Sequence, residues 1–155
     1  MRSRGFTLIE MLVVLAMMGI LAAAARPLLE LSVQRTREQD LRAALRSLRG
    51  AIDAYKQAVD SGRIAQGADD SGYPPNLQVL VDGVRDAKAA DERRLYFLRR
   101  LPRDPFADPA LTPEQTWGLR AADSPPDDPR AGRDVFDVYS RSERHALDGT
   151  RLSDW

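Results

Sequence analysis

Residues 5–25 read GFTLIEMLVVLAMMGILAAAA, an apolar run whose only charge is Glu10, and Arg2 and Arg4 stand just before it. As a helix, residues 6–25 span roughly 30 Å at ~1.5 Å per residue, the thickness of a bilayer's hydrocarbon core. One crossing is the expectation. The two arginines favour a cytoplasmic N-terminus and send the remainder of the chain to the far side. An ionised carboxylate in such a segment costs about 2.5–3.5 kcal/mol at the helix centre and less near an end, so Glu10 calls for a partner and a function.

Two simpler readings stand beside this one. A cleaved secretory signal has a basic start and a small-residue exit, and Ala22-Ala23-Ala24 offers such an exit. Against it, the apolar run exceeds the ~7–15 residues usual for a signal core, and a signal gains nothing from Glu10. The other reading is a plain membrane anchor with a stray carboxylate, which the rarity of intramembrane carboxylates disfavours.

The chain has 155 residues, no cysteine, and 23 basic residues against 23 acidic ones. One small exported domain follows, held by packing without disulfides. The balanced charge gives no global case for nucleic acid. Pro27 removes a helix hydrogen bond and crowds the carbonyl of Ala23, so a kink or local melting is expected over residues 23–27, with simple bending at the membrane exit as the alternative.

Beyond Pro27, Leu41, Leu45, Leu48, Ile52, Tyr55 and Val59 alternate spacings of four and three, while Arg35, Arg37, Glu38, Arg42, Arg46 and Arg49 fall elsewhere. This is a single apolar stripe. It is short for a coiled-coil seam and gives way to Ser61-Gly62, so it is expected to pack on the chain's own sheet, membrane and domain helix together forming one long spine. Residues 61–75 are loop by turn chemistry, and Asn76 caps a short helix bearing Leu77, Leu80 and Val81 and ending near Gly83. A helical segment over residues 91–101 carries Leu95, Tyr96, Leu98 and Leu101 and cannot continue past Pro102 and Pro105. Residues 117–121 and 134–140 are the best strands, rich in Trp, Val, Phe and Tyr. The fold class is α+β, a long N-terminal helix packed on a small antiparallel sheet.

The block Gly5-Phe6-Thr7-Leu8-Ile9-Glu10 ahead of an apolar helix resembles the N-terminal signal of type IV pilins and type II secretion pseudopilins. Tyr73-Pro74-Pro75-Asn76-Leu77, then residues 97–106, then Trp117-Gly118-Leu119 are similar to the G-type major pseudopilin. The resemblance implies a pilin-like fold and cutting after Gly5 by a prepilin peptidase, with methylation of the new amine of Phe6. It divides the chain into a leader at residues 1–5, a transmembrane helix at 6–26 and a periplasmic domain at 27–155, in a single-pass protein of the bacterial inner membrane. It also implies a homo-polymer with other pseudopilins, contact with the inner-membrane secretion platform, and a proline like Pro27 marking helix that unwinds on assembly. On a helix, positions four apart share a face, so Glu10 reaches either its own Phe6 amine or that of a neighbouring subunit. Only the second pairing sets an axial register, and a non-closing head-to-tail contact propagates as a filament.

The resemblance further implies a calcium ion in the C-terminal loop. Here Ser140, Asp148 and Asp154 are the matching oxygens, but Arg141, Arg144 and His145 crowd a place where calcium needs ~6–8 oxygen ligands. A metal-free loop with Asp148-Gly149 as a turn is the alternative expectation.

Other functions are thinly supported. Asp137, Ser140 and His145 supply the residue types of a hydrolase, yet no nucleophile elbow accompanies Ser140, so no enzyme is expected. A pilin or competence pilin acting as a DNA- or surface-binding module is the second function class. Arg93, Arg94, Arg99, Arg100 and Arg103 suggest phosphate binding, but Asp91, Glu92 and Asp104 interleave with them, which favours a solvated face or a subunit contact over nucleic acid. The acidic last third either meets such a basic segment across subunits or is merely solvated.

Overall fold

The computed structural model describes residues 7–67 and 70–155. Helix α1 runs Leu8–Asp60. The chain divides into two compact units, one ending at Thr36 and the other comprising Arg37–Trp155. The backbone is helical at Pro27, where the sequence anticipates a kink or local melting, with simple bending as the alternative. A proline removes one hydrogen bond and leaves the rest. Its neighbours, Arg26 and Leu28, are both good helix formers.

In the second unit, the apolar stripe of α1 is the centre of the core. Leu41, Leu45, Leu48, Ile52, Tyr55 and Val59 are all buried, as the spacing requires. The helix stops at Gly62, whose φ of +69° is accessible to glycine at no steric cost. The Gly62 amide donates to the Val59 carbonyl at 2.8 Å and the Arg63 amide to that of Ala58 at 2.8 Å. This pair of bonds closes the last turn in a Schellman cap and satisfies two carbonyls that the helix end would otherwise orphan.

The short helix α2, Val79–Asp82, begins where Asn76 Oδ1 accepts the Val79 amide at 3.0 Å and ends at Gly83. Leu77 and Leu80 are fully buried against α1. The expectation of helix over residues 91–101 is not met. Arg94–Leu95 form strand β2, paired antiparallel with β1, Val84–Arg85. The amides of Phe97 and Leu98 then both donate to the Leu80 carbonyl, at 3.0 and 2.9 Å. These long-range bonds use the donors that helical bonding would need. Phe97 reaches Tyr55 of α1 with ring centroids 5.4 Å apart.

Strand β3, Trp117–Arg120, pairs antiparallel with β4, Asp137–Ser140, placing Gly118 opposite Tyr139 and Leu119 opposite Val138. β4 starts later than the predicted 134 because Val135 turns away to donate to the Pro74 carbonyl at 2.8 Å. Trp117 and Val138 are buried beneath the helix, and the Trp117 indole donates to the Pro102 carbonyl at 2.9 Å. Arg49 of α1 fastens the other edge, donating to Asp137 at 2.8 Å and to the Val138 carbonyl at 3.0 Å. Helix and two small antiparallel sheets make the α+β architecture read from the sequence.

Candidate functional site

The described head of α1 carries apolar side chains on every face. Leu8, Ile9, Met11, Leu12, Val13, Val14, Leu15, Met17, Met18, Ile20 and Leu21 are all exposed in the isolated chain. A helix apolar all round is stable only in apolar surroundings, either lipid or other copies of itself. Among the described residues no helix is long and apolar enough to cross a membrane. Gly5 and Phe6, where processing is expected, lie outside the described residues.

Glu10 sits in the first turn of α1, exposed, and its amide donates to Thr7 Oγ1 at 3.3 Å. Thr7 precedes the helix and Glu10 is its third residue, the spacing of a capping box. The threonine hydroxyl thus satisfies one of the amides orphaned at the helix start. A carboxylate in this turn also lies at the positive end of the helix dipole. The sequence carried this signal as Thr-x-x-Glu, and it bears on function because an amide left bare in an apolar environment is costly.

The C-terminal loop is held by side chains of α1. Arg42 donates to Asp148 Oδ2 at 3.3 Å and stacks on the Trp155 ring, its guanidinium carbon 4.0 Å from the centroid. Asp148 Oδ1 accepts both the Thr150 amide at 3.0 Å and the Thr150 hydroxyl at 2.6 Å. These bonds from Thr150, aided by Arg42, hold the Asp148 carboxyl below its ordinary pKa. Glu38, one turn before Arg42, accepts the Leu147 amide at 2.9 Å.

The three residues matched to a calcium site are each engaged by protein partners. Ser140 is buried and donates its hydroxyl to Asp104 at 2.6 Å. Asp148 has both oxygens occupied by N–H and O–H donors, and Asp154 accepts from the Ser153 hydroxyl at 3.2 Å. Among the described residues, no three Asp, Glu, His or Cys side chains are grouped to hold a metal. This donor set does not fit calcium, which takes several carboxylate and carbonyl oxygens at once.

The hydrolase residue types are likewise engaged elsewhere: Ser140 with Asp104, and Asp137 with Arg49. His145 is exposed in a bridge with Arg151. Of the basic cluster, Arg94 donates to the Gly83 carbonyl at 2.6 Å, Arg103 to the carbonyls of Leu111 and Asp108 at 2.5 and 3.0 Å, and Arg93 pairs with Asp91.

Residues 1–25 match the prokaryotic N-terminal methylation motif. Over 109 residues the chain is 35% identical to the type II secretion system core protein G of Klebsiella pneumoniae, covering 68% of this chain and 70% of that protein. It is 33% identical over 120 residues to the protein of the same name from Aeromonas hydrophila, covering 74% and 76%. The Vibrio cholerae protein of that name is 29% identical over 110 residues, covering 69% and 68%. No solved structure matches the chain. A methylation motif heading an apolar helix, followed by a small α+β unit, defines a pilin-like subunit. Within that class, the chain belongs to the family of the type II secretion system core protein G, the major pseudopilin.

Proposed function

We propose that this chain is a structural subunit of a type II secretion pseudopilus, cut by prepilin peptidase between Gly5 and Phe6 and polymerised into a periplasmic filament that drives protein export. The observation that carries the reading is the all-round apolar head of α1 with Glu10 in its first turn, inside a matched methylation motif. Before assembly the apolar surface is covered by lipid, with residues 6–26 as a single span of the inner membrane, the N-terminus cytoplasmic and residues 27–155 periplasmic. In the filament it is covered by neighbouring copies.

Glu10 then meets the Phe6 amine of a neighbour. Opposite charges attract far more strongly in an apolar bundle than in water, so the pair offsets the desolvation of both groups and fixes the axial step between subunits. The partners are the prepilin peptidase, further copies of the chain, other pseudopilins and the inner-membrane secretion platform. The role is mechanical, with no catalytic step. The acids interleaved with the arginine cluster, Asp91 paired with Arg93 among them, weigh against the alternative of a DNA-binding pilin, because they blunt the positive field a phosphate-binding stripe needs.

Glu10→Ala tests the assembly step. The variant is expected to insert and be processed as the parent is, yet to give few filaments when overproduced with the secretion machinery. Filament yield equal to the parent's would remove Glu10 from the mechanism.

A further inference from the structure

The C-terminal loop closes in a ring of four side chains that contains its own cation. The Trp155 indole N–H donates to Thr150 Oγ1 at 2.8 Å, the Thr150 hydroxyl donates to Asp148 Oδ1 at 2.6 Å, Arg42 donates to Asp148 Oδ2 at 3.3 Å, and Arg42 stacks back on Trp155 at 4.0 Å. We infer that the Arg42 guanidinium does in this chain what the resemblance assigns to calcium, tying the C-terminal loop shut with a cation supplied by α1, so that folding of the loop is independent of divalent ions.

The bonding within the ring is consistent at every atom. A threonine hydroxyl has one proton to donate and lone pairs to accept, and Thr150 uses both, accepting from Trp155 and donating to Asp148. Asp148 receives donors on both oxygens, leaving the carboxylate little capacity for a metal. Bonds that run head to tail polarise one another in the same sense. The exposed Arg42–Asp148 pair, with side chains 50% and 52% exposed, contributes little alone. Its strength comes from the stack, since a planar guanidinium lies flat on an indole while the same group bonds a carboxylate.

The loop within the ring is built to match. The Ala146 amide donates to the Thr150 carbonyl at 2.8 Å, the Gly149 amide donates to the Ala146 carbonyl at 3.0 Å, and Gly149 takes a φ of +86° to close the turn. His145 and Arg151 face each other in an antiparallel bridge, and the buried Ala146 and Leu152 pin the two arms to the core. Glu38 grips the Leu147 amide one helical turn from Arg42, so α1 holds the loop at two points. A divalent ion entering here would meet the Arg42 guanidinium at the carboxylate it needs.

The inference concerns the single subunit and stands whether or not the subunit polymerises. The test is thermal unfolding of the full-length processed chain in detergent, in millimolar calcium and in chelator, with isothermal titration of calcium into the chelator-treated protein. The parent is expected to melt at the same temperature in both buffers and to give no calcium-binding heat. Arg42→Ala and Trp155→Ala should each lower the midpoint by a few degrees. The double variant should fall by clearly less than the sum, as residues sharing one contact do, and Arg42→Lys should recover only part of the loss. A midpoint that rises with calcium, stoichiometric calcium binding, or an Arg42→Ala midpoint equal to the parent's would each overturn the inference.

Discussion

Ser140 donates its hydroxyl to Asp104 across 2.6 Å, and both residues are buried, joining the end of β4 to the proline-rich segment before β3. The other Asp104 oxygen accepts the Phe106 amide at 2.7 Å, and the Ser140 oxygen accepts the Ser142 amide at 3.1 Å. A buried carboxylate persists when its lone pairs are filled in this way. Ser140→Ala removes one donor from that carboxylate and should cost about 1–3 kcal/mol, the usual penalty for an unsatisfied buried group. Chemical denaturation checks this, and the loss should be the same with and without calcium because Ser140 acts as a donor to protein.

The apolar stripe gives a larger effect. Leu48 lies on it, fully buried, and Leu48→Ala should destabilise the Arg37–Trp155 unit by ~2–5 kcal/mol through lost burial and a residual cavity. An unchanged denaturation midpoint would mean that the stripe is not core.

Gly118 lies opposite Tyr139, and a Cβ added there would stand 2.3 Å from the tyrosine ring. Gly118→Ala therefore forces the ring or the strand to shift, at about 1–3 kcal/mol, the range for overpacking. In a Tyr139→Ala background the same substitution should cost much less. Equal costs in the two backgrounds would show that the ring is not the obstacle.

Asp86 is buried and accepts from Arg63, Nη2 to Oδ2 at 2.6 Å. That hydrogen bond is the largest influence lowering the Asp86 carboxyl below its ordinary pKa of 3.8. A carboxyl with a depressed folded pKa contributes stability that is fully present above the unfolded value and is lost as pH falls through the folded one. The protein should thus hold its thermal midpoint down to about pH 5 on this account and lose it steadily in more acidic buffer. Arg63→Ala should lower the midpoint at neutral pH and leave a shallower decline in acid. Parallel pH curves for parent and variant would contradict it.

What was legible in the sequence follows from range. The buried stripe of α1 repeats every three or four residues, and the Asn76 cap and the glycine ends at Gly62 and Gly83 are written within a few residues. The two longer strands were visible because β-branched and aromatic residues concentrate there. The Arg94–Leu95 strand was not, since two residues carry no alternation and the neighbouring leucines mimic a helical face. Arg42 reads from sequence as a solvated arginine, because Asp148 lies 106 positions away and Trp155 further still. Asp104 and Ser140, 36 positions apart, read as part of an acidic tail and as a metal ligand. Their partnership appears only once the sheet brings them together.

The most direct measurement is the intact mass of the subunit taken from sheared filaments or from the inner membrane. The account predicts a chain that begins at Phe6 and carries one methyl group on its amine, and a Gly5 replacement by a bulky residue that leaves the longer precursor in the membrane. A parent chain that still begins at Met1, or one cut near Ala25 and released from the membrane, would contradict it.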